Sequence, residues 1–217
     1  MTKKEKYKLL INARNFHYEN FNKWQTYFYI AIGALFVGYG SVTSSKEGNI
    51  MLEYLLIVLG FIVSLLWYWS AKGYYYWNIN FINLVNYYER DILKFDKRER
   101  VYSFFANKKV QNNFINPISG ANISTSKVAI LFAFIIATSW AFILCYTILD
   151  CIFDWRATYI VVITSLVSSV LIITLSALIP YYFMQSKIVH FPDLQLKFTE
   201  QDSQLDDKEN KNENSSA

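Results

Sequence analysis

The chain has 217 residues, of which 53% are hydrophobic, 18% aromatic and only 18% charged, with a net charge of +4. That apolar and aromatic load excludes a disordered chain, and a charge content below the roughly 25% of soluble domains disfavours an ordinary soluble enzyme. With 7 Gly and 3 Pro there is little material for Gly-rich phosphate loops or collagen-like segments.

Residues 1–23 are polar and basic, carrying Lys3, Lys4, Lys6, Lys8, Arg14 and Lys23. Within them Tyr7, Leu10, His17, Phe21 and Trp24 recur at three- and four-residue steps with one gap, which predicts an amphipathic helix leading into the next segment. Trp24 to Val42 then holds no Asp, Glu, Lys, Arg or His. A bilayer core of about 30 Å needs about 20 apolar helical residues, so a first transmembrane helix is expected at 24–43. Its length exceeds a signal-peptide core of about 7–15 residues. An uncleaved anchor is therefore the better reading, although Gly40, Ser41 and Ser44 are small enough to resemble a cleavage site. Three further stretches meet the same length: 50–71, whose one charge is Glu53, then 128–149 and 157–183.

Between the second and third spans, residues 72–127 continue the helix. Trp77, Phe81, Leu84, Tyr88, Ile92 and Phe95 follow at steps of 4, 3, 4, 4 and 3, with polar residues between them. This stripe packs either on a neighbouring helix of its own subunit or on other subunits, and the spacing alone does not choose. Tyr74, Tyr75, Tyr76 and Trp77, with Trp67 and Trp69, read as an interfacial aromatic belt. Residues 107–126 read as a loop, and Ser124, Thr125 or Ser126 is placed to cap the third helix. Residues 184–217 form a polar tail, expected to be disordered from about 200.

Lys and Arg placement gives the orientation. Nineteen of the 21 lie in 1–23, 72–127 and the tail, and the short loops 44–49 and 150–156 hold one each, Lys46 and Arg156. The positive-inside rule then puts both termini and the middle segment in the cytoplasm, with two short outer loops. The fold class is all-α: a polytopic membrane protein with four transmembrane helices and cytoplasmic helical extensions. The positive charge is a topology signal, and no nucleic-acid binding is expected.

The chain carries no recognisable chemical motif. His17 and His190 stand far from any metal-ligand spacing, and no nucleophile–base motif, phosphate loop or paired carboxylate site occurs. No catalytic, cofactor-binding or metal-binding residue is assigned, and no enzyme is expected. Cys145 and Cys151 are about 9 Å apart along one helix, too far to bridge unless the chain bends at Asp150. The polar residues inside the spans are small. Ser165, Ser169 and Ser176 share a face with Thr158, Val162 and Ile172, and Ala34 with Gly38 forms a small-xxx-small pair. Close helix packing is the leading reading of both, with a Ser-lined pore as the rival.

Two segments carry a resemblance. Arg14, Phe16, Glu19, Phe21, Lys23, Thr26, Tyr27 and Phe28, leading to Phe36-Val37-Gly38-Tyr39, form one. The other is Leu59-Gly60, Ser64-Leu65, Trp67-Tyr68, Gly73 and Trp77, followed by Phe81, Val85 and Glu89. Over roughly 14–90 the chain resembles the RipA family of octameric bacterial membrane proteins. It departs from the pattern at Phe81, where Trp is expected, and the acidic tail has no counterpart. The resemblance implies an inner-membrane homo-octamer linked to growth inside host cells and to envelope homeostasis, with no catalytic residues to carry over. The expected partners are the lipid bilayer and further copies of the chain. The rival function is an oligomeric channel or pore-forming effector; a lipid-modifying enzyme ranks last.

Overall fold

The computed structural model describes residues 2–45, 49–102, 118, 121, 123–153 and 158–184. Among these, the regular structure is helical and no strand occurs. Helix α1 spans Lys3–Thr43 and α2 spans Ile50–Tyr87, the latter passing into a π-helical turn at Tyr88–Ile92. Helix α3 spans Thr125–Phe153 and α4 spans Thr158–Ser176. Four stretches, Lys3–Thr43, Ile50–Ile92, Thr125–Ile152 and Tyr159–Phe183, are long and apolar enough to cross a membrane. Most of the 107–126 loop, the tail beyond 184 and His190 lie outside the described residues.

A side chain next to the start of α1, of α2 and of α3 satisfies one of the backbone N–H groups that a first helical turn leaves free. Thr2 and Glu5 form a capping box on α1: the Thr2 Oγ1 accepts the Glu5 N–H at 3.2 Å, and the Thr2 N–H donates to Glu5 Oε2 at 2.6 Å. Asn49 Oδ1 accepts the Leu52 N–H at 3.2 Å at the start of α2. Of the three capping candidates before α3, Ser124 performs the role, its Oγ accepting from the Lys127 N–H at 3.4 Å.

Two boundaries differ from the sequence pattern. The stretch expected at 157–183 is helical over Thr158–Ser176 and again over Leu178–Phe183, with a break at Ala177. Pro180 has no N–H to donate, and its ring would press on the Ser176 carbonyl one turn back. The Ala177 N–H instead bonds to the Thr174 carbonyl at 3.2 Å. Residues 178–184 belong to a second unit, described as one short helix, α5, at Leu178–Phe183. The other difference is at Phe95, which the stripe placed on a continuing helix. The helical run ends at Ile92, and Lys94 adopts a left-handed conformation with φ 55°. The Leu93 N–H returns to the Tyr88 carbonyl at 3.0 Å and the Phe95 N–H to the Glu89 carbonyl at 2.9 Å, a left-handed closure set in the wider π register.

Within the first unit the helices pack in series, α1 on α2, α2 on α3 and α3 on α4. Ile32, Trp67, Ala133 and Trp140 join α1, α2 and α3 in one buried cluster, and Leu65, Ala137, Ala141 and Ile173 join α2, α3 and α4 in another. Small residues let these helices approach. The buried line of α3 runs Ala133, Ala137, Ala141, Cys145. Gly60 on α2 faces the Trp140 ring so closely that a Cβ there would sit 2.4 Å from it. Cys145 and the exposed Cys151 are both free thiols.

Candidate functional site: a buried carboxylate where α1 meets the end of α2

On α2 the buried positions follow a seven-residue rhythm: Ile57, Gly60, Ser64, Trp67, Ala71, Tyr74, and further on Val85 and Glu89. Helix α1 answers with rings and one amide. Phe21 stacks on Tyr74 at 3.5 Å between centroids, and His17 stacks on Tyr74 at 5.0 Å while tilting against Phe81 at 5.2 Å. Phe28 stacks on Trp67 at 6.0 Å, and Tyr29 meets Trp67 edge-on at 5.0 Å. Beneath these rings Gln25 Oε1 accepts the Trp67 indole N–H at 2.6 Å, both residues buried.

The most unusual group lies at the far end of this seam. Glu89 has 0% exposure, although it sits at the end of α2, in the π-helical turn. Its carboxylate accepts the Tyr7 hydroxyl of α1 and the Val101 N–H, the latter at 3.2 and 3.3 Å. Among the described residues it forms no ion pair, although the neighbouring Arg90 pairs with Asp91 at 3.1 Å. A buried carboxylate is tolerated only when its lone pairs are filled, and here a phenol and a backbone amide fill them. Burial first, then the hydrogen bond to Glu89, hold the Tyr7 phenol well above the ordinary tyrosine range, so it stays a donor. Tyr7 also stacks on Tyr88 at 6.1 Å and meets Phe95 edge-on at 6.1 Å. The Tyr88 hydroxyl reaches the Lys3 carbonyl at 3.3 Å.

One turn and more along α1, Arg14 donates to the Tyr102 hydroxyl at 3.0 Å and lies 5.8 Å over the Tyr102 ring. It also donates to Asn15 Oδ1 at 2.7 and 3.2 Å. An open cavity of about 380 Å3 adjoins it, walled by Arg14, Asn15, Tyr18, Glu19, Asn78, Ile82 and Tyr102. Burial pulls the nearby His17 imidazole below its ordinary value of 6.5, with a hydrogen bond to the Tyr74 backbone carbonyl acting the other way. No group of three His, Cys, Asp or Glu able to hold a metal occurs among the described residues. Chemically the cluster is a clasp: it ties the first turns of α1, the end of α2 and the returning segment 93–102 to one another.

The stripe residues divide accordingly. Phe81, Tyr88 and Phe95 face α1 of their own subunit, Leu84 and Ile92 are half-buried, and Trp77 is exposed. The fully buried line is offset from the stripe, running through Val85 and Glu89. On α4 the buried line is Val161, Ser165, Ser169, Ile173 and Ser176, whereas Val162 and Ile172, assigned to that face from sequence, are exposed. That line faces α3, with Ile173 against Ala137 and Ala141. The Ser169 and Ser176 hydroxyls bond back to their own helix at Leu166 and Ile173. The Ala34–Gly38 pair is split: Gly38 lies 3.6 Å from Leu56 of α2, measured at its built Cβ, while Ala34 faces outward.

Long apolar helices packed in series, joined by buried rings and small residues, define a polytopic α-helical membrane protein. The chain belongs to the octameric membrane protein family (8xMP), whose model matches residues 4–149. That match spans α1, α2 and nearly all of α3, and takes in the Tyr7–Glu89 clasp. Neither the curated proteins nor the solved structures contain a match.

Proposed function

We propose that the chain is a non-enzymatic subunit of a homo-octamer in the bacterial inner membrane, with both termini cytoplasmic, serving envelope homeostasis and growth inside host cells. Membership of the octameric membrane protein family over residues 4–149 carries the proposal. The bias of 19 of 21 basic residues to one side supports the orientation. The envelope role rests on the resemblance to RipA proteins in the first two helices. Burial of Ser165, Ser169 and Ser176 toward α3 weighs against a serine-lined pore within the subunit. Native mass measurement in mild detergent should give eight copies; a clean monomer would sink the proposal. Ion flux through reconstituted liposomes would favour the channel alternative instead.

A further inference from the structure

The membrane part of α1 is the least enclosed of the four spans. Its buried residues are Gln25 and Ile32, against eight on α2. The outward side carries Ile30, Ala34 and Val37 at three- and four-residue steps, with Val37 71% exposed. Gly33 and Gly40 flank this ridge seven residues apart, and a Cβ built on either meets nothing within 4 Å. The contrast with Gly60 is sharp, because Gly60 is needed by Trp140 of its own subunit. With no side chain at either position, Gly33 and Gly40 leave a flat strip on the outward side of α1, where a neighbouring helix backbone can come close.

A second open surface lies on α3 and α4. Phe134, Ile135, Thr138, Ser139, Phe142, Ile143, Val162 and Leu166 line an apolar groove of about 550 Å3. On α3 it opens beside the buried Ala133, Ala137 and Ala141 line, with Phe134 and Ile143 at the margin where the groove meets the core. The two surfaces stand at the same depth. Inside the subunit α1 and α3 run in the same direction, Tyr29 meeting Phe132 at 5.7 Å and Phe36 meeting Trp140 at 4.6 Å, an offset of 103–104 positions. Ile30 to Gly40 therefore lies level with about 133–144, which brackets the groove. A rotation about the bilayer normal leaves every depth unchanged, and rings are built from heterologous contacts in which two different surfaces meet.

We propose that the α3–α4 groove of one copy receives the Ile30–Gly40 face of α1 from the next copy, closing the assembly head to tail. This rests on the homo-oligomeric reading above and specifies its interface. The serial packing order suits it, since it leaves α1 and α4 as the two ends of the helix row. The glycines let the incoming backbone settle between Phe142 and Leu166, and Thr138 and Ser139 are already bonded to the Phe134 and Ile135 carbonyls, so they present no free donor to the groove.

The test is disulfide cross-linking of the full-length chain in native membranes, in a Cys145→Ala, Cys151→Ser background. Val37→Cys combined with Ser139→Cys should give a ladder of covalent multimers on oxidation, and neither change alone should cross-link. Dimers from Val37→Cys alone would mean α1 meets α1 and would overturn the proposal. A particle that keeps its oligomeric mass without any ladder would overturn it while leaving the homo-oligomer intact; a monomeric particle would remove both. Gly33→Leu should reduce the assembly to smaller species while the fold of the monomer persists. An unchanged native mass would assign the groove to lipid acyl chains instead.

Discussion

Gly60→Ala is the sharpest test of the packing between α2 and α3. A Cβ at position 60 would lie 2.4–2.5 Å from three atoms of the Trp140 indole, whereas ordinary contact begins at 3.4 Å, so the ring must withdraw by about 1 Å. It has nowhere to go. Trp140 has 0% exposure, with Phe36 tilted on it at 4.6 Å and Tyr39 edge-on at 5.9 Å. Overpacking of this kind costs about 1–3 kcal/mol. Alanine's helix preference returns at most about 1 kcal/mol, so net destabilisation of about 1–2 kcal/mol is expected. The apparent unfolding temperature in detergent, followed by tryptophan fluorescence, should fall by roughly 2–8 °C. Gly73→Ala is the control: a Cβ there meets nothing within 4 Å, so it should be neutral or mildly stabilising. Trp140→Leu should rescue part of the Gly60→Ala loss, giving a favourable coupling in the double-mutant cycle. Equal stability of Gly60→Ala and Gly73→Ala would refute the close approach.

Three further outcomes are expected. Tyr7→Phe leaves the buried Glu89 carboxylate one donor short, which should cost about 1–3 kcal/mol and speed proteolysis of the 93–102 segment; unchanged cleavage would count against the clasp. Gln25→Leu orphans the Trp67 indole N–H between α1 and α2 and should cost about 0.6–1.7 kcal/mol, with Gln25→Leu combined with Trp67→Phe costing less than the sum of the two. His17 has its folded pKa depressed by burial, so its stabilising contribution is full above the unfolded value of 6.5 and is lost as the pH falls below it. Amide protection near Tyr74 and Phe81, normalised to the intrinsic exchange rate at each pH, should fall as the pH drops below 6.5, and His17→Gln should flatten that dependence.

The spans were legible because a bilayer imposes one rule on composition, about 20 residues without charge, and the chain obeys it four times. The continuation of α1 and α2 beyond those spans was legible too, since Tyr7, His17 and Phe21 and the stripe from Trp77 keep helical spacing into polar sequence. What joins the helices was not. Glu89 and Gln25 occupy core positions, but a pattern search counts a carboxylate or an amide as surface, so the buried line through Val85 and Glu89 was read as the neighbouring apolar stripe. Phe95 fell off the helix for the same reason: filling the Glu89 carboxylate from Val101 requires the chain to turn back, and Lys94 makes that turn. Gly60 stood in plain view as half of a Leu-Gly pair, yet nothing local to it announces a tryptophan 80 positions on. The line of α4 was misread by one position at each of two apolar residues, because a helix that is apolar on every side gives its buried face no contrast.

These unread contacts answer a question that hydrophobicity leaves open inside a membrane. Lipid is as apolar as leucine, so apolar helices gain nothing by choosing one neighbour or one register over another. Directional bonds and steric fits make the choice. The bond from Trp67 to Gln25 and the bond from Tyr7 to Glu89 join α1 to α2 at two well-separated heights, so a slide of one helical turn would break both at once. Gly60 against Trp140 then fixes α3 on α2 at a third point. Together they set the depth of every residue on the outward face of α1 relative to α3. That shared depth is the one property a ring about the bilayer normal must reproduce between copies, so register fixed within one subunit becomes register between subunits.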